Sequence, residues 1–230
     1  MPINQEFNGR FQVIMADPPW SYDNWSTKAT GAVKAQYSTM SLEQIKALPI
    51  EEISAPNSAL LLWCTQTASA EGFHTEVMKA WGFRPVTKAF YWRKVYDSCV
   101  CSHPSARHAE NKCSVRGCTC QTLVPKPYCG LGFYTRSGSE DCWLGLRGRM
   151  PVKNRNIYQE IEAAVGTHST KPAEIYARVE AMWPEAEHRL ELFARRPRVG
   201  WSAWGDQIQS PARLFDADEP VTPQGALTSP

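Results

Sequence analysis

Phe11-Gln12-Val13-Ile14-Met15-Ala16-Asp17-Pro18-Pro19-Trp20 says most about how this chain is built. A short apolar run has the length of a sheet strand. The acidic residue and two prolines after it stop the strand, because proline neither donates to a sheet ladder nor enters a helix interior. A carboxylate is thereby set at the C-terminal edge of a strand, where open α/β folds carry their chemistry. The turn is expected to leave the Pro18 carbonyl free. Asp17, that carbonyl and the Trp20 indole suit a planar base with an exocyclic amine: two acceptors for two N–H groups, and an aromatic face for stacking. A capped turn that merely ends a strand is the alternative reading of these residues.

Outward from this stretch, strands are expected at Ala59–Cys64, Val86–Trp92, Cys142–Leu146 and Arg189–Phe193, with a poorly defined one near Ile157–Ile161. Ser41 with Gln44 three residues on forms a capping-box pattern and opens a short helix that Pro49 closes. A second helix is predicted over Ala68–Trp81, with Phe73, Val77 and Trp81 on one stripe and Gly82 as its stop. A third opens at Pro172 and runs to Met182, burying Ile175, Val179 and Met182. Strands alternating with helices predict an α/β fold, a mostly parallel sheet with helices on both faces. The polar stretch Ser21–Gln36 reads as a loop over the site. One domain is expected over residues 1–210, with an insertion at about 96–131 and a disordered tail over 211–230.

The chain has 230 residues and a formal charge of +2, too small to point to nucleic acid by itself. Its distribution says more: Arg93 to Arg155 holds eleven Lys or Arg against four Asp or Glu, a surface suited to phosphate. A solvated basic face is the competing reading. No signal-peptide pattern opens the sequence and no apolar run is long enough to span a bilayer, so a cytoplasmic protein without a membrane partner is expected. Eight cysteines in a reducing compartment point away from disulfides and toward a metal where they cluster.

They cluster in the insertion. Cys99-x-Cys101-x-His103 and Cys113-x4-Cys118-x-Cys120, with His108 and Cys129 nearby, offer more than the four ligands that one structural zinc needs. A segment with few apolar residues gains little from burial, so metal ligation would order it, and one equivalent is expected. Free thiols on a flexible loop are the alternative. Cys64 and Cys142 fall in strands and read as small core residues.

Several separated motifs together resemble the MT-A family of adenine N(6)-methyltransferases, in the manner of its bacterial and phage members. They are Ala16-Asp17-Pro18-Pro19-Trp20, Tyr37-Ser38-Thr39-Met40-Ser41, Leu61-Leu62-Trp63, Ser169-Thr170-Lys171-Pro172 with Glu174-Ile175-Tyr176, Glu191-Leu192-Phe193-Ala194-Arg195 and Trp204-Gly205-Asp206-Gln207. The resemblance implies a Rossmann-like class I methyltransferase fold in permuted order, with the catalytic motif early and the cofactor strand last. It implies transfer of a methyl group from S-adenosylmethionine to the N(6) amine of adenine in nucleic acid, DNA before RNA.

By the same resemblance Asp17, Pro18, Pro19 and Trp20 form the catalytic turn, with Trp20 and Tyr37 shaping the base pocket. Asp17, Lys171, Arg195, Asp206 and Gln207 would hold the cofactor; many relatives carry Asn at the position of Asp206. The Ser21–Gln36 loop would clamp a flipped base. Two other functions stand beside this one: a non-catalytic nucleic-acid-binding partner, which should show a degraded Asp-Pro-Pro-Trp, and transfer to another planar amine such as cytosine or a protein glutamine.

Overall fold

The computed structural model describes residues 3–21, 39–109, 112–120, 124–130, 134–166, 170–208 and 214–215. A 3₁₀ turn at Gln5–Phe7 leads into β1 (Phe11–Ala16). Then come α1 (Leu42–Lys46), α2 (Ile50–Ile53), β2 (Ser54–Cys64), α3 (Gln66–Ala70), α4 (Phe73–Ala80) and β3 (Arg84–Cys99). The insertion contributes β4 (His108–Ala109), β5 (Lys112–Cys113) and β6 (Pro125–Pro127). The chain closes with β7 (Ser139–Arg147), β8 (Glu160–Ala164), α5 (Glu174–Met182), β9 (Arg189–Leu192) and β10 (Ser202–Trp204).

The main sheet runs β10-β9-β1-β2-β7-β3-β6, and β8 also pairs with β3. Strands β10, β9, β1 and β2 are parallel neighbours. β7 lies antiparallel to both β2 and β3, and β6 antiparallel to β3, while β8 is parallel to β3. The sheet is therefore mixed, not mostly parallel. β3 and β7 are the arms of one long hairpin interrupted by the cysteine-rich insertion, and a hairpin return needs no crossover helix. The returning arm occupies the slot between β2 and β3.

β1 is buried on both faces, which is why it reads as a nearly continuous apolar run. Val13 and Met15 join Leu61 and Trp63 of β2 in a cluster with Ile175 and Val179 of α5. Ile14 and Ala16 join Leu60 and Leu62 in the other cluster, with Ile45, Val77, Met78 and Trp81. Helices thus cover both faces, as the alternation of elements predicts. Each fully buried aliphatic side chain contributes about 1.5–3 kcal/mol, so this two-sided packing fixes the position of Asp17 at the end of β1.

The Ser41–Gln44 capping box is present in both directions, at 3.2 and 2.8 Å. The helix predicted over Ala68–Trp81 is two helices, α3 and α4, because Gly72 adopts a left-handed backbone (φ 79°) between them. Gly82 ends α4 as expected: its φ is +77°, and the Phe83 N–H closes back on the Met78 carbonyl at 2.8 Å. β3 continues past Trp92 to Cys99, the strand expected near Ile157–Ile161 sits at Glu160–Ala164, and α5 begins two residues beyond Pro172. The expected disordered tail does not hold at Leu214 and Phe215, both buried; the Leu214 carbonyl accepts from Asn4 N–H at 2.9 Å. The predicted Ser21–Gln36 loop, apart from Ser21, lies outside the described residues. Among the described residues no helix is long and apolar enough to cross a membrane.

Candidate active site

β1 is flanked by β2 on one side and by β9 on the other, so the chain leaves in one direction and returns from the opposite one. The C-terminal end of such a strand opens into a crevice, and Asp17 is the first residue beyond it. Pro18 and Pro19 then fix the backbone. The Trp20 N–H donates to the Pro18 carbonyl at 2.9 Å, so that carbonyl is not free as the sequence suggests; the amide folds back across Pro19. A carbonyl oxygen has two lone pairs, and one remains for a ligand. The Pro19 carbonyl accepts from Met40 N–H at 2.9 Å, and the Met40 carbonyl from Ser21 N–H at 3.1 Å, tying the turn to the start of α1.

Trp20 is 7% exposed, lies against Phe73, and donates its indole N–H to the Trp63 carbonyl at 3.1 Å. It braces the turn from the core side and does not line the cavity described below. Tyr37, its expected companion in a base pocket, lies outside the described residues.

Lys171 reaches Asp17 from across the sheet. Its Nζ lies 2.6 Å from Asp17 Oδ2 and 3.0 Å from Glu140 Oε2, above the Trp63 ring, with only 7% of the side chain exposed. Lys94 approaches the other oxygen of Glu140 at 2.5 Å. Asp17, Lys171, Glu140 and Lys94 therefore alternate in sign along one chain that is buried at Lys171 and Glu140 and partly open at Asp17, whose side chain is 28% exposed. Burial raises the Asp17 carboxyl above its ordinary range; Lys171 pulls against this and Glu140 adds to it. Burial works the same way on Glu140, but Lys171 and Lys94 outweigh it and hold that carboxyl below the usual value. Burial would lower Lys171, yet the two carboxylates keep its ammonium raised. Glu140 and Lys94 were not singled out by the sequence. Glu140 sits just ahead of the apolar run that marks β7, and only the pairing of β7 with β3 brings Lys94 beside it.

A cavity of about 610 Å³ opens beside this chain, lined among others by Asp17, Lys171, Tyr176, Glu191, Phe193 and Arg195. Its size falls within the range of small-molecule sites. Tyr176 donates its hydroxyl to Glu191 at 2.7 Å, and Arg198 lies 3.5 Å over the Tyr176 ring. Burial raises the Glu191 carboxyl, against the pull of that hydroxyl. Phe193 takes a left-handed φ of 60°, turning the chain out of β9 toward Arg195. Lys171 and Arg195, both expected at the cofactor, thus share one cavity with Asp17. Asp206 and Gln207 do not line it: they are exposed on the turn after β10. That turn is pressed against the exit of β9, since a Cβ on Gly205 would meet the Ala194 carbonyl oxygen at 2.3 Å.

The ligand candidates of the insertion fall into two groups, each with its donor atoms within 4.8 Å of one another. One is Cys99, Cys101, His108 and Cys120; the other is Cys101, His103, Cys113 and Cys118. Such donor sets can hold a metal ion. His108 joins the six residues named from spacing, while Cys129 is exposed and belongs to neither group. Cys64 and Cys142 are core residues as expected, 2% and 0% exposed, and burial pushes the Cys64 thiol up to about 12.

The MT-A70 family profile matches residues 11–119 and 126–207, spanning β1 with its acidic turn, the Lys171 segment and β9. The chain belongs to the MT-A70 family. Among its relatives are the type II methyltransferase M.MunI from Mycoplasma, 27% identical over 86% of this chain and 78% of its own length, and an Arabidopsis N(6)-adenosine-methyltransferase MT-A70-like protein, 29% identical over 87% of this chain. The human N(6)-adenine-specific methyltransferase METTL4 is 28% identical over 86% of this chain. The chain spans most of the Mycoplasma enzyme but only 24% and 37% of the Arabidopsis and human MT-A70 relatives.

Proposed function

We propose that this chain transfers the sulfonium methyl group of S-adenosylmethionine to the N(6) amine of adenine in nucleic acid, on a permuted Rossmann-like frame. The observation that carries the reading is the position of Asp17, at the open end of the strand between β2 and β9, in a cavity it shares with Lys171 and Arg195. That lining fits the cofactor. With Lys171 already held by Asp17 and Glu140, Arg195 beside it suits the cofactor's carboxylate, and the Phe193 and Tyr176 rings with Glu191 suit an adenosine. When bound, the cofactor supplies an electrophilic methyl.

The amine of adenine is a weak nucleophile because its lone pair is delocalised into the ring. Asp17 and the remaining lone pair of the Pro18 carbonyl accept its two N–H groups, which favours the localised form that attacks. Lys171 fixes Asp17 Oδ2 and so orients the carboxylate toward the amine. The methylated amine must lose a proton, and Asp17 is placed to take it; a carboxyl raised by burial is a better acceptor than a solvated one. Cys64, with its thiol pushed up to about 12, is unsuited to covalent attack at neutral pH.

DNA is the polymer placed first, on the match to most of the length of the type II methyltransferase M.MunI, which comes from a bacterium, Mycoplasma. The intact Asp17-Pro18-Pro19-Trp20 turn speaks against a non-catalytic partner. The test is transfer of labelled methyl from S-adenosylmethionine to matched duplex DNA, single-stranded DNA and RNA, followed by nucleoside analysis. N(6)-methyladenine made best on DNA supports the proposal, and label recovered in RNA alone moves the substrate class to RNA. No transfer to any polymer, with cofactor binding verified, contradicts the enzymatic reading.

A further inference from the structure

The two ligand groups of the insertion share one residue, Cys101. Seven side chains, five cysteines and two histidines, therefore supply two complete four-donor sets. We infer that the insertion holds two zinc ions bridged by the Cys101 thiolate, each ion completed by two further cysteines and one histidine. His108, Cys99 and Cys120 close one site; His103, Cys113 and Cys118 close the other.

The spacing of the donors supports this. With Zn–S near 2.3 Å and Zn–N near 2.0 Å, a tetrahedral site has S···S edges of about 3.8 Å and S···N edges of about 3.5 Å. Cys99 and Cys120 bring their sulfurs to 3.4 Å, Cys101 Sγ stands 3.4 Å from His108 Nε2, and Cys113 Sγ stands 3.3 Å from His103 Nδ1. These are edges of two tetrahedra, one on each side of Cys101.

The surroundings of the donors point the same way. His108 Nδ1 lies 3.2 Å from the Pro104 carbonyl, an arrangement that requires Nδ1 to carry the proton and leaves the Nε2 lone pair aimed at Cys101. A backbone carbonyl fixing a histidine from behind is the usual partner of a metal-bound imidazole. The Val124 N–H donates to Cys99 Sγ at 3.4 Å, as thiolate ligands accept from nearby amides. The backbone bends to bring the donors together: Ser102 takes a φ of 67° between Cys101 and His103, and Gly117 one of 83° just before Cys118.

Charge counting agrees with two ions and disfavours one. A single ion on either set leaves ionisable thiols crowded at its edge. Two dications on five thiolates leave one net negative charge, with Arg107, Lys112 and Arg116 in the same segment to balance it. Because Cys99 ends β3 and pairs with Pro125 of β6, the pair of ions would pin the far end of the long hairpin. Hydrophobic burial does little there, as among the described residues of the insertion no apolar side chain beyond Cys99 is buried.

Native mass spectrometry of the full chain, purified without added zinc, should show two zinc ions per molecule. Reloading with the NMR-active isotope of cadmium should then give two metal resonances split by each other through the shared sulfur. Cys118→Ser should keep one ion, and Cys101→Ser should abolish the mutual splitting. One ion or none in the wild-type chain, a metal-free mass lowered by disulfide formation, or two resonances without splitting would overturn the proposal. The wild-type readings decide the matter even where a variant misfolds. Neither readout depends on methyl transfer, so this inference and the proposed reaction stand or fall separately.

Discussion

Lys171 Nζ stands 2.6 Å from Asp17 Oδ2, although 154 residues separate the two in the chain. With Glu140 3.0 Å away, this ammonium bridges two carboxylates that would otherwise repel each other, and Lys94 on Glu140 supplies the second positive charge. Removing the cation from a buried pair is far more costly than removing the pair together. Lys171→Met should therefore destabilise the fold by about 3 kcal/mol. In a domain of this size that lowers the melting temperature by roughly 6–12 °C. Adding Glu140→Gln should recover part of the loss. Thermal unfolding of the single and double variants checks this, and an unchanged midpoint in Lys171→Met would show that the cation is dispensable to the fold.

Glu140 also sets a pH dependence. Its folded-state carboxyl is held below the unfolded value of 4.5 by Lys171 and Lys94. The stabilisation is then fully present above pH 4.5 and is lost as pH falls through the lower, folded value. Comparing denaturant midpoints of the wild-type and Glu140→Gln chains across this range should show an advantage for the wild type near neutrality that vanishes in acid. Asp17 runs the other way, because its carboxyl is raised: on acidification it takes up its proton above the ordinary value of 3.8. Carbon-13 NMR titration of labelled carboxyls should find Asp17 titrating above 3.8 and Glu140 below 4.5. A shift of either group in the opposite direction would break the proposed charge arrangement.

The turn carrying Asp206 and Gln207 is tested through its glycine. A Cβ at Gly205 would meet both the carbonyl oxygen and the nitrogen of Ala194, at 2.3 and 2.8 Å, and backbone cannot rotate aside as a side chain does. Gly205→Ala should cost about 1–3 kcal/mol of stability, the usual effect of overpacking. If the turn serves the cofactor, affinity for S-adenosylmethionine should fall roughly tenfold as well. Calorimetric binding beside a thermal melt separates the two effects, and unchanged affinity would remove Asp206 and Gln207 from the cofactor site.

Much of this arrangement is legible in the sequence, and the limits have physical causes. β1, buried on both faces, announces itself as an apolar run, and its end at Asp17 follows from two prolines. The capping box at Ser41 is local chemistry and reads directly. The slot taken by β7 does not, because strand order is set by contacts among distant residues such as Leu61 and Leu144. Glu140 escapes notice for the same reason: its partners, Lys94 and Lys171, come from other parts of the chain. The break at Gly72 is a local signal overridden by the apolar stripe on either side of it. The bond from Trp20 N–H to the Pro18 carbonyl belongs to a tight turn whose closure residue type alone does not specify.

A reaction without cysteine chemistry has its own check. Cys64 is the buried thiol on β2, hydrogen-bond partner to none of the proposed reacting groups, and its thiol is pushed up to about 12. Cys64→Ala should keep most of the methyl transfer activity while losing some stability to the small cavity it leaves. Loss of activity with the fold and cofactor affinity intact would point to a covalent route instead.

The most direct test is single-turnover methyl transfer by Asp17→Asn against the wild-type chain, with S-adenosylmethionine affinity measured on both and the product nucleoside identified. Asparagine keeps the shape but removes the negative charge and one acceptor. The wild type should give N(6)-methyladenine and the variant a loss of about 10²-fold or more, with the fold retained. Wild-type turnover by Asp17→Asn, or methyl found on an atom other than N(6), would contradict it.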